Sequence, residues 1–284
     1  MKFIHLTDTH VIGGDLLLYG ANPARRLAQA VDSINAEHAD AEFVIVTGDM
    51  THWGDDDAYE AFKAQISRLT VPLYLMVGNH DDTGAFASSF PAVGRDEGGF
   101  VQYVFDTPQG RALCLDTKSP GTHAGGYCAA RLGWLRSRLE TTEEPVFLFM
   151  HHPPFPVGIA GMDAIMMQDA EAFYDVLAPH AHRIRHLFFG HVHRAIFGNW
   201  RGISFSCMRG LNHQVALDLN GAATEIAGNL EPPAYGVVLV NEDCVTVHLH
   251  EFANRSPRFM LHAPENADPV RYQLDMRHQG EQEA

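Results

Sequence analysis

Basic residues are scarce in this chain: 20 Lys and Arg stand against 35 Asp and Glu, which gives a formal net charge of −15. Proteins that bind DNA or RNA neutralise phosphates with clustered Lys and Arg. The charge therefore argues against a nucleic-acid polymer as partner and against a DNA nuclease. A small anion would also be repelled at long range, unless bound cations make its pocket positive.

Long hydrophobic runs and cysteine motifs are also absent. No stretch approaches the roughly 18 to 20 apolar residues that a membrane span requires, so we expect no membrane partner. The chain starts with Met1-Lys2 and a strand-like segment, without the basic and apolar regions of an export signal. The four cysteines form no CxxC motif. Together these absences predict reduced thiols and a cytoplasmic location.

What the chain does have is 284 residues, 46% of them hydrophobic, which is enough for one large domain with a full core. Its first part alternates strand-like segments with segments whose apolar residues have helical spacing. The predicted strands are Lys2–Thr7, Glu42–Thr47 and Val71–Val77, and the predicted helices are Pro23–Glu37 and Asp55–Leu69. This order predicts right-handed crossovers between parallel strands.

After Gly99 the pattern changes to strand pairs joined by turns. Phe100–Phe105 with Arg111–Asp116 predicts one hairpin, and Ala195–Trp200 with Ile203–Ser206 predicts another. The other predicted elements are the strands Val146–Met150, His186–Phe189, Val215–Leu219, Tyr235–Val240 and Val245–Phe252, and the helices Leu132–Leu139 and Ala170–Ala178. We expect this second half to be mostly antiparallel.

These elements predict one domain over residues 1–263, with its C-terminal strands in 210–263, followed by a polar tail over 264–284. The apolar run Tyr235–Val240 is typical of an oligomer interface and equally of a buried core strand. A homo-oligomer is therefore an expectation that the sequence leaves open.

Five short blocks of His, Asp and Asn each follow a strand-like apolar run. The blocks are Asp8-x-His10, Gly48-Asp49, Gly78-Asn79-His80-Asp81, His151-His152-Pro153-Pro154 and Gly190-His191-Val192-His193. In open α/β sheets, ligands collect outside the carboxyl ends of the strands, so we expect these blocks to meet in one crevice. Their carboxylate, imidazole and amide groups can hold two adjacent divalent ions, which is a reaction mechanism as well as a binding site.

Each block alone has an ordinary explanation. Asp-x-His is usually a cap or a surface pair, Gly-Asp is usually a turn, and His-His-Pro-Pro can be a plain loop. The order of all five, each after an apolar run, makes the set specific. Mixed nitrogen and oxygen ligands suit Mn, Fe, Co or Zn better than Mg or Ca, and the sequence does not choose among the four.

The five blocks, which span residues 8 to 193, resemble the calcineurin-like metallophosphoesterase superfamily. A closer likeness is to its bacterial glycerophosphodiesterase and class III cyclic-nucleotide phosphodiesterase branch. Supporting segments are Leu18-Tyr19-Gly20, Gly161-Met162-Asp163 and Asn212-His213-Gln214-Val215. The resemblance implies an α/β fold, a four-layer α/β/β/α sandwich with mixed sheets and a dimetal site on its edge.

The resemblance also implies a role for each residue. The first metal would take Asp8, His10, Asp49 and His193, and the second would take Asp49, Asn79, His151 and His191. Asp49 would bridge the two ions and take part in catalysis. His80 matches a histidine near the leaving group or a phosphoryl oxygen, and is thus a catalytic and substrate-binding candidate. His213 is a candidate substrate contact, with an ordinary loop or core histidine as the alternative, and His152 is expected to be structural.

The implied activity is hydrolysis of small phosphodiesters, glycerophosphodiester-like or of broad specificity, by a hydroxide that the two metals activate. The alternatives are a 3′,5′-cyclic-nucleotide phosphodiesterase, a phosphomonoesterase or phosphonate monoester hydrolase, and a non-catalytic scaffold. All seven ligand positions are filled, which argues against a scaffold. The ligand blocks lack Lys and Arg, apart from the adjacent Arg194. This scarcity favours diesters over monoesters, because a diester carries a single negative charge and needs fewer cationic groups. We expect loops 118–131 and 155–168 at the pocket mouth.

Overall fold

The structure is a computed structural model that describes residues 1–258, 260–262, 265 and 267–273. Residue contacts divide the chain into two compact units, Met1–Ala253 and Asn254–Ala284. All the elements given below and every predicted site residue belong to the first unit. Residues 263 and 264, where the predicted domain and tail meet, lie outside the described residues, as does most of the tail, so that division stays a prediction.

The elements alternate along the first part of the unit and become richer in strands later. The strands are β1 (Lys2–Leu6), β2 (Phe43–Thr47), β3 (Leu73–Met76), β4 (Tyr103–Thr107), β5 (Gly110–Cys114), β6 (Val146–Phe149), β7 (Ile184–Phe189), β8 (Ile196–Trp200), β9 (Ile203–Cys207), β10 (Gln214–Val215), β11 (Gly228–Asn229), β12 (Tyr235–Val240) and β13 (Val245–His250). The helices are α1 (Pro23–Glu37), α2 (Asp56–Ile66), α3 (Thr83–Ser89), α4 (Ala129–Glu140), α5 (Ala160–Asp163) and α6 (Ala170–Leu177), and a 3-10 helix covers Ala178–Arg183.

Two mixed sheets form the centre of the fold. The first has the order β13-β12-β1-β2-β3, with β1, β2 and β3 parallel and β12 antiparallel to both neighbours. The second has the order β4-β5-β6-β7-β9-β8. Its central strands β5, β6, β7 and β9 are parallel, and only the edge strands β4 and β8 are antiparallel to their neighbours. The prediction of a mostly antiparallel second half is thus wrong for the centre of this sheet.

Side chains that alternate along the strands separate the molecule into layers. On β2, Val44 and Val46 pack with the helices α1 and α2, whereas Phe43 and Ile45 pack between the sheets. On β6, Leu148 belongs to the core under α4 and α6, and its neighbours on the strand belong to the layer between the sheets. Helices therefore cover both outer faces, which confirms the predicted four-layer α/β/β/α sandwich.

Aromatic rings fill the layer between the two sheets. Phe3 stacks on Phe43 with ring centroids 4.7 Å apart, and Phe149 stacks on Phe188 at 5.0 Å. These rings are almost completely buried, and each contributes about 2 to 3 kcal/mol of transfer free energy. This layer fixes the two sheets against each other, and so fixes the positions at which their strands end.

Helix α1 shows how local sequence sets an element's bounds. The Asn22 side chain accepts a hydrogen bond from the Arg25 backbone N–H at 2.9 Å, and Pro23 occupies the first helical position. Leu27 and Val31 lie on the buried face, one turn apart. The predicted helix Pro23–Glu37 agrees with the structure at both ends.

One of the predicted C-terminal strands changed and another kept its bounds. The predicted strand Val215–Leu219 is wrong beyond its first residue, since β10 is only Gln214–Val215. The side chains of Leu217 and Leu219 are 62% exposed, so their alternation does not reflect a buried face. Strand β12 lies inside the first sheet between β1 and β13, which accounts for its apolar run without a partner chain. The homo-oligomer stays a prediction.

Candidate metal centre

The seven predicted ligands follow the carboxyl ends of strands from both sheets. Strands β1, β2 and β3 of the first sheet and β6 and β7 of the second lead, in chain order, into Asp8, His10, Asp49, Asn79, His151, His191 and His193. All seven are buried. The structure brings them together at one edge of the sandwich.

The backbone is strained at this edge. Five predicted ligands have positive φ: Asp8 (52°), His10 (45°), Asp49 (51°), His191 (67°) and His193 (52°). In the described part of the chain only two other residues besides glycine do so, Tyr19 and Arg201. Such conformations cost of the order of 1 kcal/mol or more each and persist where surrounding structure imposes them. Their concentration here is typical of a functional site.

Asp8, His10, Asp49 and His193 form a first group. His193 Nε2 lies 3.3 Å from Asp8 Oδ1 and 3.0 Å from His10 Nε2. His10 Nε2 lies 3.6 Å from Asp49 Oδ2. Metal–ligand bonds of about 2.0–2.2 Å place the ligand atoms of one ion about 3 to 4 Å apart. The first group therefore has the spacing that a single ion requires.

Asp49, Asn79, His151 and His191 form a second group. Asn79 Oδ1 lies 2.9 Å from His191 Nδ1 and 3.1 Å from His151 Nε2. His151 Nε2 lies 3.3 Å from Asp49 Oδ2, the oxygen that also faces His10 in the first group. The two groups therefore share one carboxylate oxygen.

Hydrogen bonds at the far side of the rings orient the ligand nitrogens. His151 Nδ1 donates to the Thr47 carbonyl at 2.7 Å, and His193 Nδ1 donates to the His213 carbonyl at 2.8 Å. Each ring then presents a lone pair at Nε2 to the site. In the first group His193 faces His10 nitrogen to nitrogen, an arrangement that a cation between the lone pairs stabilises. The residues present thus fit divalent metal ions.

The negative charge of Asp49 and the positive charge of His151 stabilise each other. Burial would raise the pKa of Asp49, but His151 beside it holds that pKa well below its usual value. Burial would lower the pKa of His151, and Asp49 outweighs this, raising the pKa to about 9. Since imidazole ligates in its neutral form, an ion bound here displaces a proton from His151.

Five of the predicted ligands form the floor of a cavity of about 620 Å³, namely His10, Asp49, Asn79, His191 and His193, and His80 and His213 also line it. The backbone N–H of His80 donates to Asp49 Oδ1 at 2.8 Å, and its Nδ1 donates to the His52 carbonyl at 2.8 Å. The ring of His213 lies over that of His193, with centroids 4.6 Å apart. Both predicted substrate contacts are therefore placed beside the metal groups.

Apart from the histidines, Asp49 and Asn79, the wall of the cavity is mostly apolar. It consists of Tyr19, Met162, Ile165, Val215, Ile226 and Leu230, with Gln214 and Asn229 as uncharged polar neighbours. Among the described residues that line the cavity, Asp49 is the only carboxylate and none is Lys or Arg. Loop 155–168 contributes Met162 and Ile165, as expected of a loop at the pocket mouth.

Several supporting residues escaped sequence reasoning. Asn79 Nδ2 donates to His123 Nδ1 at 2.9 Å, and Lys118 Nζ donates to the Asn79 carbonyl at 2.9 Å. His52 Nδ1 lies 3.0 Å from His10 Nδ1. For His123 and Lys118, the sequence offered only the expected position of loop 118–131 near the pocket. It offered no sign of the role of His52.

Asp81, the last residue of its ligand block, joins the loops after β2 and β3. Its carboxylate accepts hydrogen bonds from the backbone N–H groups of Met50 (3.3 Å), Thr51 (3.1 Å) and Gly78 (2.9 Å), and from the Tyr59 hydroxyl (3.1 Å). Burial raises the pKa of this carboxyl to about 6.

Two glycines of the ligand blocks allow the loops to approach closely. A Cβ atom at Gly78 would lie 2.2 Å from Asp49 Oδ1. At Gly48, which has a φ of 98°, a Cβ atom would lie 2.5 Å from His151 Nδ1. A side chain at either position would displace a predicted ligand.

His152 and Arg194 support the site without entering its floor. His152 Nδ1 lies 2.8 Å from Thr117 Oγ1, and its Nε2 donates to the His123 carbonyl at 3.1 Å. Arg194 donates to the Val215 carbonyl at 2.8 Å. His152 thus holds the loop that carries His123, and Arg194 pairs locally.

Comparison with known proteins agrees with this site. The family model for calcineurin-like phosphoesterases matches residues 1–195. A probable cyclic nucleotide phosphodiesterase of Rhodopseudomonas palustris is 44% identical over 266 residues, covering 92% of this chain and 96% of that protein. A probable glycerophosphodiester phosphodiesterase of Arcobacter nitrofigilis is 32% identical over 239 residues, covering 82% and 86%. The chain belongs to the calcineurin-like phosphoesterase family, which confirms the resemblance and its assignment as an enzyme.

A solved structure supports the fold alone. The dimetal phosphatase from Danio rerio superimposes with a TM-score of 0.68 at 17% identity, over 89% of this chain and 96% of that one. Among the described residues, no helix is both long and apolar enough to cross a membrane.

Proposed function

We propose that the protein is a dinuclear metal-dependent phosphodiesterase that acts on small phosphodiesters. The observation that carries this proposal is that seven predicted ligand side chains meet in two groups, which share Asp49 Oδ2 and of which five residues line a cavity. Membership of the family, and the phosphodiesterase names of its relatives, support the same conclusion.

The two groups define two ion positions in this proposal. One ion is held by Asp8, His10, Asp49 and His193, and the other by Asp49, Asn79, His151 and His191. Bound ions would supply a water whose pKa falls from about 15.7 toward about 7, and would neutralise charge on the phosphoryl oxygens. Mn, Fe, Co or Zn suit these mixed ligands.

The remaining site residues bind and orient the substrate. His80 Nδ1 donates its hydrogen to the His52 carbonyl, which leaves Nε2 for the substrate. In the imidazolium form, with a hydrogen on both nitrogens, His80 would donate the Nε2 proton to the leaving alkoxide and become neutral. His213 contacts the ester group from the other side of the floor. Asp49 would hold both ions, and by accepting the backbone N–H of His80 it fixes that residue beside the two groups.

Two substrate classes compete within this activity, glycerophosphodiesters and 3′,5′-cyclic nucleotides. The apolar wall of the cavity has no acidic side chain to receive a cationic headgroup such as choline. A flat, uncharged base fits that wall better, because it removes apolar surface from water without leaving a charge unpaired. This observation favours the cyclic nucleotide over glycerophosphocholine as the second, more specific candidate.

The cellular setting of the proposal follows from charge and cysteines. All four cysteines are free, which agrees with a reducing compartment such as the cytoplasm. The net charge of −15 agrees with a small substrate rather than a nucleic-acid polymer. We therefore infer a cytoplasmic enzyme with a small-molecule partner.

Removal of the shared carboxylate tests the activity. After metal stripping and reconstitution with Mn, Co, Zn or Fe(II), Asp49→Ala and His151→Ala should hydrolyse bis(p-nitrophenyl) phosphate about 10³-fold more slowly, because the ions supply several kcal/mol of transition-state stabilisation. His248→Asn, on the exposed side of β13, is the matched control and should keep the wild-type rate. Near-normal rates in both site variants would refute the proposal.

A substrate panel tests the specificity. We expect kcat/KM for 3′,5′-cAMP to exceed that for glycerophosphocholine, and both to exceed that for p-nitrophenyl phosphate. A reversed order of the two diesters would favour the glycerophosphodiester assignment. Preference for the monoester would contradict the diesterase assignment itself. Comparison with 2′,3′-cAMP shows whether the ring geometry of the diester is recognised.

A further inference from the structure

His52 lies three residues beyond Asp49 in the loop after β2 and is only 8% exposed. It belongs to neither ligand group, yet it contacts two histidines of the site. Its Nδ1 lies 3.0 Å from His10 Nδ1. Its ring stacks on that of His80, with centroids 4.7 Å apart and planes 17° apart.

The tautomer of each ring decides which nitrogen donates in the contact between His10 and His52. His10 directs Nε2 toward Asp49 Oδ2 and His193 Nε2, where a ligand lone pair is needed. A neutral imidazole that ligates through Nε2 carries its hydrogen on Nδ1. At His10 that hydrogen points to His52 Nδ1, which must therefore be the acceptor.

The other two histidines that ligate through Nε2 are supported differently. His151 and His193 donate their Nδ1–H groups to backbone carbonyls, those of Thr47 and His213. Of the three histidines His10, His151 and His193, only His10 has a side chain as the hydrogen-bond partner of its Nδ1. A substitution can therefore remove it without altering a ligand.

We propose that His52 is a positioning residue for the first metal: its Nδ1 accepts the Nδ1–H of His10 and holds His10 Nε2 toward the ion. The proposal rests on the metal centre of the proposed function and makes no use of the substrate. His52 itself carries its ring hydrogen on Nε2, the nitrogen that is free of His10.

His52 also contacts His80 through its backbone, and this contact does not depend on the His52 side chain. His80 Nδ1 donates to the backbone carbonyl of His52, so this bond survives when the side chain is exchanged. Changes at the His52 side chain therefore act on His10 and on the ring stack. A phenylalanine keeps a ring against His80 but offers no acceptor, whereas an asparagine offers an acceptor oxygen without the ring.

The test measures metal affinity directly. Wild type, His52→Phe, His52→Asn and the surface control His248→Asn are loaded with Zn²⁺ and dialysed against graded chelator, and metal per chain is measured by elemental analysis. Loss of an outer hydrogen-bond partner of a ligating histidine typically costs 10–100-fold in affinity. We expect His52→Phe to lose about that factor at one of two sites, and His52→Asn to recover most of it.

A spectroscopic measurement accompanies the titration. The hydrogen-bonded ring N–H of His10, identified in proton spectra of the Zn-loaded protein by its absence in His10→Asn, should disappear in His52→Phe and reappear shifted in His52→Asn. If His52→Phe does not fold, His52→Ala replaces it under the same protocol.

Three outcomes overturn the inference: wild-type affinity at both sites in His52→Phe, equal loss in the Phe and Asn variants, or a wild type that binds no metal. Failure of the proposed function looks different. A wild type that holds two ions per chain but hydrolyses no diester contradicts the phosphodiesterase assignment, while the affinity series still decides the role of His52.

Discussion

Asp81 joins the backbones of the two loops that carry Asp49 and Asn79. The N–H groups of Met50 and Thr51 follow Asp49 directly, and the N–H of Gly78 precedes Asn79. One buried carboxylate therefore sets the distance between a ligand that both groups share and a ligand of the second group. Removing it leaves buried donors without partners, which costs more than the net value of the bonds.

We expect Asp81→Ala to lower the free energy of unfolding of the metal-free protein by about 3 kcal/mol, since several buried donors lose their acceptor. Tyr59→Phe, which removes a single donor to the same carboxylate, should cost about 1 kcal/mol. Urea unfolding followed by circular dichroism measures both. Equal small effects for the two variants would show that the carboxylate does not join the loops.

At the residue scale, the sequence predicted the ligand candidates but not the residues that support them. The blocks follow strands whose apolar pattern is clear, and their order is specific enough to show a family resemblance. It is this resemblance that assigns Asp8 and His193 to the same metal. His52 and His123 carry no such signal, because their contacts depend on the path of a loop. A histidine in a loop has the same appearance in sequence whether it faces solvent or a ligand.

Among the elements, strand β7 carries a buried histidine into the layer between the sheets. His186 Nε2 lies 2.9 Å from Ser206 Oγ on β9, and its ring packs on Phe188 at 4.3 Å. Burial lowers the pKa of His186 to about 4. The unfolded chain, with a histidine pKa near 6.5, binds a proton more readily. Stability from this group is complete above about pH 6.5 and is lost as the pH falls toward 4.

We predict that His186→Leu reduces the acid sensitivity of the fold. Between about pH 7 and about pH 5.5 the free energy of unfolding of the metal-free variant should fall by about 1 kcal/mol less than that of wild type. Urea unfolding at the two pH values gives this double difference, and His248→Asn serves as the control. An identical pH dependence in wild type and His186→Leu would mean that His186 is not the titrating group.

Element prediction succeeded where patterns were long and local. Helix α1 has a cap, a proline and three buried turns, and strand β12 has six residues of apolar sequence. The helices α3 and α5 and the strand β11 were not predicted, because they are too short to show a period. The parallel centre of the second sheet was missed for another reason. Its paired strands are distant in sequence, and the residue pattern of one strand does not indicate which strand pairs with it.

For the whole molecule, the compact unit Met1–Ala253 contains both sheets, their helices and all seven predicted ligands. Its cores lie under the helices and between the sheets. The unit therefore holds everything that the fold and the metal centre require.

A chain of residues 1–253 should fold and bind two metal ions with the affinity of the full chain. Elemental analysis after chelator dialysis measures the ions, and thermal unfolding compares the two chains, with a change in Tm of less than about 4 °C expected when under 1 kcal/mol is lost. An insoluble or metal-free truncated protein would contradict this expectation.

The position of β1 has a consequence for synthesis. Within the unit this strand is made before the others, yet it lies between β2 and β12, and Lys2 pairs with Leu239 near the other end of the unit. A chain emerging from the ribosome carries one open strand edge until Tyr235–Val240 appears, and its ion positions stay incomplete until His193 has been added. Loading of both proposed ions would therefore follow the synthesis of β7 and would not be an early event of translation.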